Sequence, residues 1–230
     1  MVFWEKYNKK SSNFIIKKLI NNKYKNFNFI EESFYNHVRD ILAIVLTLVL
    51  SKKKIKVLDY GGGEGVALNN LSNKINTKQI IFYVYDPFID NNKILFKKKG
   101  GVAGSAGEKV NCHYSSNLKS FKHVNFDLVY FGSSWQYLNN IKNIFNKINF
   151  SKKSYVLISH TPFSMSNSFR SKQLNHKSLI QNVHSYSGVR KFFAKNNFKI
   201  IFKSLLHPKY SKVQKIFLHK TIYLNILFKK

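Results

Sequence analysis

The chain has 230 residues, 39 Lys+Arg against 10 Asp+Glu for a net charge of +29, 44% hydrophobic residues and 16% aromatic ones. At the usual ~100–200 residues per domain, this length holds one sizeable domain with or without a helical extension, and excludes two full catalytic domains. The apolar fraction excludes a wholly disordered chain, and the single cysteine, Cys112, excludes a disulfide framework and a cysteine-clustered zinc site.

Residues 1–53 read as an N-terminal helical extension or cap, first an amphipathic stretch around Phe14, Ile15, Leu19 and Ile20, then an apolar helix over Phe29–Leu50. Glu31 and Glu32 near its start and lysines 52–54 after its end suit the helix macrodipole. The longest apolar run, Ile41–Leu50, is far shorter than the ~20 residues that span a bilayer. No charged segment followed by an apolar run and a cleavage site opens the chain, so the expectation is a cytoplasmic protein with no membrane span.

From residue 54 to 230 the texture changes to short apolar runs alternating with helical spacing, which predicts βα units and a mostly parallel sheet with helices on both faces. The predicted strands are Ile55–Asp59, Ile80–Tyr85, Val110–Tyr114, Asp127–Phe131, Tyr155–Ser159 and Phe198–Leu206; the predicted helices are Ala67–Ile75, Tyr137–Ile148 and Ser187–Lys195. Lys97–Lys109, glycine-rich and poor in apolar residues, reads as a loop. It is not a P-loop, because Glu108 follows Gly107 where Lys and Ser/Thr would be required. The tail, Lys199–Leu206 and Lys215–Leu227 around a turn at His207–Tyr210, predicts a hairpin and an antiparallel edge.

Lysines are spread over the whole chain, and the arginines are only Arg39, Arg170 and Arg190, whereas placed phosphate or guanine recognition favours the guanidinium fork. The charge therefore reads as composition bias, and nucleic acid is not the favoured partner. A basic RNA-binding module, or an enzyme that modifies RNA, stays open as an alternative.

Three segments carry chemistry. In Val57-Leu58-Asp59-Tyr60-Gly61-Gly62-Gly63-Glu64-Gly65 a buried strand ends in an acid and runs into a glycine turn before a helix, where backbone can approach a nucleotide-like ligand. The dinucleotide spacing GxGxxG fails, because Val66 stands where the third glycine is needed. An NAD(P)-dependent oxidoreductase shares the architecture and stays open as a second alternative. The next strand, Ile81–Asp86, ends in an acid about 20 residues on, the spacing at which a carboxylate accepts ribose hydroxyls. The third, Phe126–Leu138, opens with Asp127 and ends in Gly132-Ser133-Ser134-Trp135-Gln136. Asp59, Glu64, Asp86 and Asp127 fall on these segments in a chain with few acids.

The order Asp59-x-Gly61-x-Gly63-x-Gly65, then Asp86, then the Ser133–Trp135 turn, resembles the class I methyltransferases that use S-adenosylmethionine. The LDYGGGEG, SSWQYL, HTPF and QNVHSYS segments, over roughly residues 55–190, are similar to an uncharacterised family of methyltransferase-like proteins often associated with bacterial surface-polysaccharide gene clusters. The resemblance implies a Rossmann-like methyltransferase sheet and S-adenosylmethionine as cofactor. It implies cofactor contacts from Asp59, Tyr60, Gly61, Gly62, Gly63, Gly65, Asp86, Ser133 and Trp135, and a small-molecule or glycan-linked acceptor. In a chain of this charge a cationic cofactor needs locally negative or π-rich surroundings, which Asp59, Glu64, Asp86, Tyr60 and Trp135 offer.

His160, at the end of the predicted fifth strand, is the first candidate for a general base, with Tyr186 and Gln136, then His184 and Arg170, as candidates for positioning the acceptor. The family pattern would place arginine where His160 stands. A cytosine methyltransferase thiol does not fit, since Cys112 lies on the third strand. An N/D-P-P-Y amino-methylating site does not fit either, since Gly132-Ser133-Ser134-Trp135 occupies its place.

Overall fold

The computed structural model describes residues 41–46, 54–63, 65, 67–68, 71, 77–88, 111–173, 176–205 and 221–230. The helices expected before residue 41, Glu64, the 97–109 loop, most of the helix expected over Ala67–Ile75 and the turn at 207–210 lie outside them. Among the described residues nine strands form the sheet: β1 (Ile55–Tyr60), β2 (Ile80–Tyr85), β3 (Asn111–Ser115), β4 (Asn125–Gly132), β5 (Asn149–Ser164), β6 (Phe169–Gln173), β7 (His176–Ser185), β8 (Lys199–Leu205) and β9 (Thr221–Lys229).

The order β3-β2-β1-β4-β5 is parallel throughout. β9 runs antiparallel to β5 and carries β8 antiparallel on its other side. The C-terminal pair thus makes the antiparallel edge the sequence predicts, with the last strand inserted between β5 and β8. A chain-order hairpin reading cannot reveal that insertion.

Period two in each strand sends alternate residues to opposite faces. From β1, Leu58 and Tyr60 enter one core with Val129, Phe131, Val156, Ile158 and Phe228, while Ile55 and Val57 enter the other with Leu128, Tyr130 and Leu157. Because both faces are covered, the central strands are nearly continuous apolar runs. The first face is covered by the helices Ile141–Phe145 and Tyr186–Lys195, whose Phe145, Val189 and Phe193 are buried there. Phe193 lies flat on Phe228 with ring centroids 3.7 Å apart, and burying such a ring contributes about 2–3 kcal/mol. The second face is covered by the helical residues 41–46, with Leu42 and Leu46 fully buried, and by Leu68 and Leu71. His37–Lys230 forms one compact unit, so the 53/54 boundary read from the sequence falls inside it. The apolar face of residues 41–46 is part of the sheet's own core.

Two predicted elements are remodelled. In place of one helix over Tyr137–Ile148 there is a 3-10 turn, Trp135–Tyr137, and then the short helix Ile141–Phe145, because Asn140 caps the latter by accepting the Asn143 N–H at 2.9 Å. β5 extends well past Ser159. A bulge between Ile158 and Thr161 lets His160 take φ 51°, after which Thr161–Ser164 pairs with β9 and reaches β7. The β6–β7 hairpin beyond it has no counterpart in the sequence prediction. No helix among the described residues is long and apolar enough to cross a membrane.

Candidate active site

The C-terminal ends of β1, β2, β4 and β5 meet at one side of the sheet, where open parallel α/β sheets bind ligands. The glycine turn is locked to the end of β2: Gly61 N–H donates to the Tyr85 carbonyl at 2.7 Å, and Gly63 N–H to Asp86 Oδ2 at 2.9 Å. Asp86 Oδ1 accepts the Phe88 N–H at 2.9 Å. Each carboxylate oxygen keeps a further lone pair, so Asp86 is oriented by backbone and still able to accept hydroxyls.

Glycine is required here on two grounds. Gly61, Gly63 and Gly65 have φ of 75°, 56° and 88°, a left-handed region disfavoured for residues with a Cβ. At Gly62 the limit is space, since a Cβ would lie 2.5 Å from Asp59 Cγ and 2.9 Å from Val84 Cγ1. The Asp59 carboxyl thus sits directly beneath the turn. It is 2% exposed, and its Oδ2, sealed from water, has no hydrogen-bond partner. Burial first, and the charge of Asp86 second, push its pKa from 3.8 to about 7.

The end of β4 is tied to both of its neighbours. Ser134 Oγ donates to the Tyr60 carbonyl at 2.5 Å, tying β4's end to β1. Ser133 Oγ lies 2.8 Å from His160 Nδ1, and its N–H donates to the Ser159 carbonyl at 3.0 Å. Ser133 and His160 both have positive φ, 56° and 51°, without being glycine. Such backbone strain persists where neighbours enforce it. Here the enforcement is visible: the His160 N–H is held by Asn225 Oδ1 at 3.0 Å, and Asn225 Nδ2 donates to Ser204 Oγ at 3.1 Å.

The structure therefore brings Asp59, Gly61, Gly62, Gly63, Gly65, Asp86, Ser133 and His160 to one end of the sheet. It places the others elsewhere. Trp135 is fully buried with its ring among Phe131, His184 and Phe193, and Tyr60 packs on Tyr85 and Phe131. Both side chains support the site from the core, so neither offers a ring face to a ligand. Gln136 is 5% exposed, with Oε1 unpartnered inside the 3-10 turn. Tyr186 opens its helix against Phe163, with Lys203 Nζ 5.4 Å from its ring centroid, which sets it toward the β8 edge. Arg170 is exposed on β6. His184 lines a cavity of about 130 Å³ with Ser168, Val189 and Phe192; burial lowers its pKa. Asp127 stays at the other end of β4, in a bulge, accepting the Lys56 N–H and the Ser151 hydroxyl.

Sequence reasoning missed Ser134 and Asn225, which hold the strand ends together. Asn225 had a signal, a lone amide inside the apolar run Thr221–Lys229 that is 4% exposed in the fold.

No protein-family model and no curated protein matches this chain. Solved structures do. A methyltransferase dependent on S-adenosylmethionine from Methanosarcina mazei aligns at 13% identity, TM-score 0.54, over 78% of this chain and 93% of its own. The magnesium protoporphyrin IX methyltransferase of Synechocystis, with S-adenosylhomocysteine bound, aligns at 13% identity, TM-score 0.58, over 96% and 94%. The 1,6-didemethyltoxoflavin-N1-methyltransferase of Burkholderia thailandensis, with its substrate and S-adenosylhomocysteine, aligns at 10% identity, TM-score 0.55, over 87% and 85%. The fold is that of class I methyltransferases. At these identities the likeness speaks to architecture, and chemistry has to be argued from the side chains.

Proposed function

We propose that this chain is an S-adenosylmethionine-dependent methyltransferase acting on a small-molecule or carbohydrate-linked acceptor. The observation that supports the reading is the Gly63 N–H to Asp86 hydrogen bond, which holds the glycine turn against the ribose-type acid, as a shared adenosyl site requires. The residues fit the cofactor. A Cβ at Gly62 would collide with the floor of the turn, and the floor itself holds a buried carboxyl without a hydrogen-bond partner on Oδ2, suited to a cationic ligand. Solved methyltransferases of the same fold hold S-adenosylhomocysteine or S-adenosylmethionine, which supports the same choice.

Asp86 would take the ribose hydroxyls, the Gly61–Gly65 turn the adenosyl and methionyl backbone, and Phe88 would offer its ring to the base. When bound, the cofactor supplies an electrophilic methyl group on a sulfonium. Holding the acceptor in line with that methyl provides most of the rate, and a base is needed only if the acceptor must lose a proton. His160, its Nδ1 side held by Ser133 and its backbone by Asn225, would receive such a proton at Nε2. The glycan-linked acceptor rests on the sequence resemblance alone.

The test is a thermal-shift panel with S-adenosylmethionine, S-adenosylhomocysteine, NAD and NADP. A ligand that binds the folded state raises the midpoint. The reading requires a shift with the first two only; a shift with a nicotinamide alone sinks it.

A further inference from the structure

Asp59 is harder to explain than the other acids of the site. Asp86 has two backbone donors and Asp127 has a backbone donor and a hydroxyl. Asp59 is buried more deeply than either, and its Oδ2 has no donor. An isolated carboxylate in such a place is costly, so the group holds its proton until a positive charge arrives. Among the described residues, the titratable groups that face it are Asp86 at the end of β2, Cys112 and Tyr114 on β3, and Tyr130, its register partner on β4. None of them is a cation. The glycine turn crosses the carboxyl so closely that Gly62 has no room for a Cβ, so a cation held over the turn would lie next to it.

Resting on the reading of this site as an S-adenosylmethionine pocket, we propose that Asp59 senses the cofactor's charge: binding of S-adenosylmethionine drives a proton off Asp59, and S-adenosylhomocysteine, which has lost the sulfonium charge, does so much less. The bookkeeping is simple. S-Adenosylmethionine carries sulfonium, ammonium and carboxylate, a net +1, whereas S-adenosylhomocysteine is neutral overall. The proton leaves to solvent, and no bond is made or broken. By reciprocity, ionised Asp59 favours the charged form, so the preference for fresh over spent cofactor rises with pH.

Calorimetry at pH 7 in two buffers of different protonation enthalpy tests this on the wild-type protein. With the carboxyl titrating at about 7 when the pocket is empty, S-adenosylmethionine should release about half a proton, and S-adenosylhomocysteine clearly less. The affinity ratio of the two ligands should grow several-fold from pH 6 to pH 8. In Asp59→Asn, which keeps the side chain's shape, proton release should fall to what the ligands' own amino groups give, and the extra growth of the ratio with pH should vanish, so the difference between the two proteins isolates Asp59. Binding of S-adenosylmethionine with the same heat in both buffers overturns the proposal and leaves the function standing. Equal proton release by Asp59→Asn also overturns it. Failure of S-adenosylmethionine to bind at any pH overturns the function, and the proposal with it. If Asp59→Asn does not fold, the wild-type comparison of the two ligands still decides.

Discussion

Replacing Asp59 by Asn should remove a pH-dependent penalty from the fold. In the folded chain the carboxyl titrates at about 7, against 3.8 for an exposed group. Between those values the folded state holds a proton that the unfolded state has released, so stability falls as pH rises through this window and levels off above it. A shift of about three units corresponds to at most about 4 kcal/mol at 1.36 kcal/mol per unit. Relaxation around the ionised group reduces this to about 2–4 kcal/mol. Asparagine does not ionise. The unfolding free energy of Asp59→Asn minus that of wild type should therefore rise by that amount from pH 4 to pH 8. Urea unfolding without cofactor, at intervals of one pH unit, measures it, and groups other than Asp59 cancel in the difference. A difference that stays flat within about 0.5 kcal/mol across the range refutes the account of a buried, uncompensated carboxyl.

Gly62→Ala, with its Cβ forced to 2.5 Å from Asp59 Cγ, should lower stability by about 1–3 kcal/mol and weaken S-adenosylmethionine binding at least tenfold, read by urea unfolding and calorimetry. Phe88→Ala removes a side chain 91% exposed, so it should leave the melting temperature within a degree or so while weakening the cofactor about tenfold; unchanged affinity would remove Phe88 from the pocket. His160→Asn, chosen because Asn tolerates φ 51°, should cut kcat by about 10²–10⁴ on an acceptor that must lose a proton, with cofactor affinity changed by less than about threefold. Once an acceptor is in hand, an unchanged kcat shows that His160 takes no proton.

The parallel half of the fold was legible because strands buried on both faces must be apolar throughout, and Ile55–Asp59 and Ile80–Tyr85 say so directly. The glycine turn and Asp86 stood out for a related reason, since glycines and lone acids interrupt an apolar segment at its strand ends, and the hydrogen bond between them joins the two. What was hidden depends on the third dimension. β5 runs through His160 and Pro162 because β9, far along the chain, pairs with it on both sides of the bulge. The β6–β7 hairpin leaves no clear alternation in sequence. Trp135 and Tyr60 looked like ligand-facing aromatics by position, but alternation on β1 and the 3-10 turn sends both rings into the core. Asn225 acts on a residue 65 positions away, and only the inserted position of β9 brings it there.

On the proposed function, the turn at Gly61–Gly65 and Asp86 enclose one adenosyl site. A crystal structure of the protein with S-adenosylhomocysteine tests it most directly. The ribose hydroxyls should lie within hydrogen-bond distance of Asp86, with the homocysteine moiety over the glycine turn. A ligand bound elsewhere, or density at the turn filled by protein side chains after soaking at saturating concentration, would contradict it.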